Sequence, residues 1–149
     1  MEKLWKGVIF AIQMLVVLYV ISVLLGAPFI SNFEQTFMFS CILTVLAVVP
    51  VILYLEIDDI FQLLDVVTQP PKDSLHNMII LQFEITLLGA WLGAVPIPLD
   101  WNREWQIWPT TCVLGTFCGY FIANIVSYGI QSTNIFSRYR KSHRFKNVL

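Results

Sequence analysis

Charge is what this sequence lacks most. Of its 149 residues only 13% are Asp, Glu, Lys or Arg, against 57% apolar side chains. A soluble domain of this size cannot hide so much apolar surface in one core, so the surplus is expected to face lipid. Cysteine is scarce as well. Cys41, Cys112 and Cys118 all fall within apolar runs, too few and too deep for a disulfide framework, and they are expected to be reduced and buried. The two histidines, His76 and His143, have no second ligand at metal spacing, so no metal and no cofactor is expected. Internal repeats and low-complexity stretches are missing too, and no nucleic-acid partner is expected.

What the sequence does have is four long apolar runs: Gly7 to Leu25, Thr36 to Leu55, Asn77 to Val95 and Pro109 to Ile130. Each is close to the roughly 20 residues that a helix needs to cross a bilayer core of about 30 Å. The expectation is an all-α polytopic transmembrane helix bundle, with spans at about residues 7–26, 36–55, 77–95 and 109–130. Residues 1–149 then form one integral-membrane domain, of which 131–149 is a basic tail. Lys3 and Lys6 before the first run suggest a secretory signal peptide as an alternative, but the run is as long as a full span and Gly26-Ala27-Pro28 is a poor cleavage site. Basic residues near span ends are retained on the cytoplasmic side. Lys3, Lys6, Lys72, Arg138, Arg140, Lys141, Arg144 and Lys146 lie at the termini and in the middle loop, and only Arg103 lies elsewhere. Both termini are therefore expected to be cytoplasmic, which puts loops 26–35 and 96–108 on the lumenal side.

Along the middle loop Ile57, Ile60, Phe61, Leu64 and Val67 recur at helical spacing opposite Asp58, Asp59, Gln62 and Asp65, which predicts a short surface helix. Its acidic face reads as solvated rather than as a cation site. Pro70-Pro71 would end that helix, and Ser74 would cap the third span. Pro50 removes a backbone donor late in the second span and predicts a kink. Glu84 lies about 10 Å into the third span, where an isolated charge costs at least about 2.5 kcal/mol. Asn124 lies at matching depth on the antiparallel fourth span, so a Glu84–Asn124 hydrogen bond is expected; the alternative is a polar contact to another subunit or to a lipid headgroup. Gly89 and Gly93 in the third span, and Gly115, Gly119, Ala123 and Ser127 in the fourth, recur every fourth residue. Such stripes of small residues let helix backbones approach closely in lipid. They would either seal these two spans into a hairpin or receive a partner's helix, and both readings stay open.

An enzyme needs reactive groups in its water-facing segments. Residues 96–108 offer Asp100, Arg103 and Glu104 without histidine, serine or cysteine. The tail segment "SRYRKSH", 137–143, has a passing likeness to the motif of membrane lipid phosphatases. Its spacing is one residue short, no aspartate follows the histidine, and the accompanying Ser-Gly-His element is missing. No catalytic residue is assigned. A basic tail attracted to anionic headgroups accounts for that segment better.

Between the third and fourth spans, Pro96 and Pro98 should stop the helix near Val95 and let the chain leave it extended, while Pro109 suits the first turn of the next helix. Trp101, Trp105 and Trp108 combine an apolar body with one N–H, which favours the headgroup zone, and Asp100 is placed to pair with Arg103 across the turn. The residues alone describe a rigid interfacial corner, either a membrane anchor or a docking edge.

The stretch "LGAWLGAVPIPLDWNREWQIWPTTCVLGTFCGY", 88–120, resembles the signature of the phosphatidylinositol-glycan biosynthesis class F family, PIG-F, through Gly89, Trp91, Gly93, Pro96, Pro98, Asp100, Trp101, Trp105, Trp108 and Pro109, continued by Gly115, Gly119 and Tyr120. Residues 1–76 resemble the family in hydropathy rather than in motif. Glu104 stands where the family often has proline, and members of the family are longer. The resemblance implies an endoplasmic-reticulum, multi-pass protein of glycosylphosphatidylinositol (GPI) anchor synthesis. Such a protein is not itself catalytic; it binds and stabilises large membrane-bound ethanolamine-phosphate transferase catalytic subunits that modify the anchor's mannoses. Partner docking is then expected through the lumenal corner Pro96, Pro98, Asp100, Trp101, Trp105 and Trp108, with Gly89, Gly93, Gly115 and Gly119 packing the helices. Two rivals remain: a lipid-binding or lipid-moving protein that uses Glu84 and Asn124 in a polar cavity, and an autonomous lipid phosphotransferase.

Overall fold

The computed structural model describes residues 2–28, 32–70, 73–99 and 103–146, with side chains as far as Thr133. Every regular element among them is helical. Four helices are long and apolar enough to cross a membrane: Glu2–Leu24, Phe33–Leu55, Ser74–Leu92 and Thr110–Thr133. The first three start three to five residues earlier than the apolar runs suggest, because hydropathy marks the lipid-facing stretch and polar residues extend a helix beyond it. The fourth helix does not stop near Ile130 but continues to Lys146. What reads as a tail is in large part a helical extension, since Gln, Arg and Lys end the hydropathy without opposing the helix.

The first span buries one stripe, Gly7, Phe10, Met14, Leu18 and Ser22, and leaves Ile12, Val16 and Val20 outside. It ends in a left-handed residue, Gly26, with φ of +106°. Ala27 N–H donates to Ser22 O and Gly26 N–H to Val23 O, both at 3.0 Å, which satisfies two terminal carbonyls before Pro28. The sequence Gly26-Ala27-Pro28 is thus a helix stop.

The kink expected at Pro50 takes the form of a π-helical turn, Thr44–Val48, in which Val49 N–H reaches Thr44 O. Proline has no N–H to offer Leu46 O four residues back. Gln82, buried on the third span, donates to that carbonyl at 3.5 Å, a pairing that the sequence reading missed. Four other hydroxyls of the bundle interior are satisfied locally, while the buried Ser127 Oγ has no partner among the described residues. Ser40, Thr44, Thr86 and Thr116, all under 5% exposed, donate to carbonyls four residues back at 2.6–2.9 Å.

The surface helix is present at Ile60–Thr68, turned from the expected face. It buries Leu63 and packs Val66 and Val67 on the core, whereas Phe61 is 75% and Leu64 56% exposed. Only Gln62, Asp65 and Thr68 interrupt its apolar residues, so the sequence offers two apolar arcs, and the bundle takes one of them. Asp73, not Ser74, occupies the N-cap position of the third span. Pro71 and Lys72 lie outside the described residues. Of the cysteines only Cys112 is buried: Cys41 is half-buried and Cys118 faces outward on the fourth span.

Replacing Gln82 with Leu is expected to lower stability by about 0.5–1 kcal/mol, and by less in a Pro50→Ala background, where a backbone N–H is again available to Leu46. Reversible unfolding in mixed micelles across the four variants measures this difference; equal losses in both backgrounds would refute the pairing.

Candidate functional site, a glycine-packed hairpin and its corner

The third and fourth spans meet backbone to backbone. A Cβ placed on Gly89 would lie 2.9 Å from Gly119 Cα and closer still to Gly115 O. One on Gly93 would lie 2.8 Å from Cys112 Cα, and one on Gly115 3.0 Å from Gly93 Cα. One on Gly119 would lie 3.1 Å from Gly89 Cα. Each would also lie closer still to a carbonyl oxygen of the facing helix, that of Gly115, Thr111, Gly89 and Ile85 in turn, nearer than real Cβ atoms come, so each of these positions requires a bare Cα. The two stripes therefore fill each other, which leaves no groove at these glycines for another helix. Ala123 and Ser127 continue the buried line on the fourth span.

Between the spans the chain does not leave the helix extended, as the prolines suggested. It tightens into successive turns: Ala94 N–H to Trp91 O at 3.0 Å, Val95 to Leu92 at 3.1 Å, Ile97 to Ala94 at 3.1 Å and Leu99 to Pro96 at 3.2 Å. Proline lacks a donor, yet its carbonyl and fixed φ suit a three-residue turn. Gln106, on the short turn Glu104–Gln106, ties the loop together. Its Nε2 donates to Pro96 O at 2.6 Å and to Leu99 O, and its Oε1 accepts Arg103 N–H at 3.2 Å. Only the amide's two donors and one acceptor on a single carbon explain why a glutamine stands there, and sequence spacing did not reveal it.

Trp108 turns inward rather than serving only as an interfacial anchor. Its Nε1 donates to Thr36 Oγ1 at 3.0 Å, and its ring meets Phe39 edge to face at 5.3 Å between centroids. Thr36, fully buried, shares its own proton between Pro28 O at 3.1 Å and Asn32 O at 3.2 Å. One hydroxyl thus joins the first loop, the start of the second span and the entry to the fourth. Pro109 stands just ahead of the first helical residue, Thr110, and its carbonyl accepts Val113 N–H at 2.9 Å. Trp105 is 45% exposed and Arg103 is exposed. Asp100 and Trp101 lie outside the described residues, as does any pairing of Asp100 with Arg103.

The expected Glu84–Asn124 hydrogen bond does not form. Asn124 donates instead to Tyr120 O, one turn back on its own helix, at 2.8 Å. Glu84 is exposed, on a different side of the hairpin, and borders a cavity of about 210 Å³ with His76, Asn77, Gln69 and Val67. Matching depth does not fix rotation about the helix axis, and rotation separates the two. Among the described residues no three of His, Cys, Asp and Glu cluster as metal ligands would.

Trp108→Phe keeps the ring against Phe39 and removes the donor to Thr36, for an expected loss of about 1 kcal/mol. Gly89→Val or Gly115→Val forces the hairpin apart, for an expected loss of about 3 kcal/mol or more. Unfolding in mixed micelles is the measurement for both, and a Gly115→Val protein as stable as the parent would contradict the packing described.

A family model described as the GPI biosynthesis protein family Pig-F matches residues 1–128. Over 110 residues the chain is 39% identical to the human GPI ethanolamine phosphate transferase, stabilizing subunit, covering 73% of this chain and 50% of that one. Over 118 residues it is 35% identical to glycosylphosphatidylinositol anchor biosynthesis protein 11 of Yarrowia lipolytica, covering 79% and 51%. A Schizosaccharomyces pombe protein, the PIGF/3-ketodihydrosphingosine reductase fusion protein, is 37% identical over 111 residues, 74% of this chain and 22% of that one. The chain spans about half the length of relatives such as the human and Yarrowia proteins. No solved structure matches. With four helices able to cross a membrane and a match from the first residue to the middle of the fourth helix, this chain belongs to the Pig-F family of GPI biosynthesis proteins.

Proposed function

We propose that this chain is a non-catalytic subunit of the endoplasmic-reticulum membrane that binds and stabilises a large GPI ethanolamine-phosphate transferase catalytic subunit. Two relatives bear the name stabilizing subunit of that transferase. The single observation that carries the reading is what the motif at 88–120 builds. Its glycines, prolines and Trp108 hold a backbone-packed hairpin and a closed corner, and their polar atoms are engaged within the chain. A shape is what a stabilising subunit contributes. The distribution of basic residues supports cytoplasmic termini and a corner that faces the lumen.

In this reading the corner braces the partner close to its lumenal catalytic domain. Pro96 and Pro98 set its outline and Trp105 offers an exposed ring; Asp100 and Trp101, which fall between them in the sequence, are assigned to the same docking edge. Trp108 supports the corner from within. The glycines act at one remove, by keeping the hairpin closed. Tryptophan is among the residues that most often dominate interface energetics, so truncating one is expected to cost 2 kcal/mol or more in association.

The test is affinity purification of the chain from membranes in mild detergent, together with the ethanolamine-phosphate content of the GPI anchors. The parent chain is expected to bring down the transferase catalytic subunit, and a Trp101→Ala/Trp105→Ala variant to bring down at least about ten-fold less, with lower anchor modification. Unchanged co-purification and unchanged anchor composition in that variant would refute the corner's role. Turnover by the purified chain alone would refute the non-catalytic reading.

A further inference from the structure

The surface helix Ile60–Thr68 carries three distinct arcs. Leu63, Val66 and Val67 pack on the bundle core. To one side of that contact the exposed Gln62 and Asp65 form a polar flank. To the other side Ile60, Phe61 and Leu64 form an apolar flank, 37%, 75% and 56% exposed. At 3.6 residues per turn each flank lies roughly 120° from the bundle-facing arc, in opposite senses. A helix wholly in water would leave three large apolar side chains hydrated, and one wholly in hydrocarbon would strand the Asp65 carboxylate. Only a place between the two suits both flanks at once.

The position of the helix supplies that place. The third span, Ser74–Leu92, has 19 residues. That is about 28 Å, close to the roughly 30 Å of a bilayer core, so Ser74 marks one border of the hydrocarbon. Val66 and Val67 border a cavity of about 210 Å³ together with third-span residues from His76 to Glu84, which lie about 3–15 Å inward of Ser74. The surface helix therefore runs beside the first turns of that span, inside the border and not above it. Interfacial helices bury their apolar face about 5–10 Å into this zone. Residues 56–59 join the helix to the second span and residues 69–73 to the third, connections too short to let it rise far from the membrane. The Lys3–Glu56 pair at 2.8 Å places the N-terminus at the same end of the bundle. A second copy or another chain would also cover Phe61, yet neither accounts for the polar flank. Lipid below and water above account for both.

We infer that the surface helix lies in the headgroup and acyl border of the leaflet at the N-terminal end of the bundle, along the membrane plane, with Ile60, Phe61 and Leu64 seated in bilayer lipid and Gln62 and Asp65 in water. Phe61, the largest and most exposed of the three, provides most of the grip. Asp58 and Asp59, both exposed, mark the water side where the helix begins, with Asp59 at its N-cap position. The helix then acts as a float: packed on the bundle through Leu63, Val66 and Val67, it fixes the depth at which the second and third spans sit. It lies at the other end of the third span from the proline and tryptophan corner, and it holds whether or not that corner docks a partner.

The experiment places a photo-crosslinking amino acid singly at positions 61, 64, 62 and 65 of the full chain, reconstituted in phosphatidylcholine vesicles and, separately, in the membranes of the cells that express it. All four positions are exposed, so the probe displaces no packed neighbour, and circular dichroism matching the parent confirms the fold of each variant. Lipid adducts are expected from positions 61 and 64 at a yield at least about ten-fold above that from 62 and 65, since withdrawing a large apolar side chain from water is worth that much in occupancy. Capture of a second copy in vesicles, or of another polypeptide in cell membranes, as the main product at 61 or 64 would overturn the inference. Equal lipid adducts at all four positions, or none at 61 and 64, would overturn it too.

Discussion

The structure depends on one contact, the approach of the third and fourth helix backbones along Gly89, Gly93, Gly115 and Gly119. Within a bilayer the removal of apolar surface from water gives no drive to bring helices together, because lipid is as apolar as leucine. Association must come from close packing, and the closest packing needs side chains out of the way. Once the two helices touch at their backbones, the connection between them has little freedom. The chain must turn within a short distance, which it does through successive three-residue turns closed by Gln106. Trp108 is then delivered over Phe39 and Thr36, so the hairpin is fixed to the second span as well. Beyond dispersion, that hydrogen bond ties three separated parts of the chain at a single hydroxyl.

Polar atoms inside the bundle are handled with the same economy. The hydroxyls of Ser40, Thr44, Thr86 and Thr116 bond to their own helix, and the carbonyl that Pro50 leaves without a donor is met by Gln82 from the neighbouring span. Burying such groups without partners would cost more than their packing returns. The Lys3–Glu56 ion pair, 2.8 Å long, is exposed and adds little to stability. On the outside the chain presents the corner and the surface helix with Phe61 and Leu64 outward.

Much of the fold was legible because lipid imposes simple rules. Runs near 20 residues long reported the four spans, and the spacing of glycines reported close helix packing. The middle loop's apolar period reported a surface helix. Three of the misreadings share one cause: depth and period fix position along an axis, not rotation around it. Glu84 and Asn124 match in depth and face apart. The surface helix buries Leu63, Val66 and Val67 in place of the arc through Phe61 and Leu64. Cys118 lies within a span and yet looks outward. Prolines after Val95 excluded a regular helix without choosing between extended chain and tight turns.

By itself the sequence determined that this chain carries four stretches long and apolar enough to cross a membrane, and that the third and fourth of them carry backbone surfaces fit for close approach. Composition and period decide those matters, because a bilayer demands internal backbone hydrogen bonds and apolar length wherever a chain crosses it. Tertiary structure alone decided which faces meet. It turned the glycine stripes onto each other, drew Trp108 inward, assigned Gln82 to Leu46, and left Glu84 on the outside of the bundle. Those outcomes depend on rotations about helix axes, and a rotation is set only by the sum of contacts that all the helices make at once.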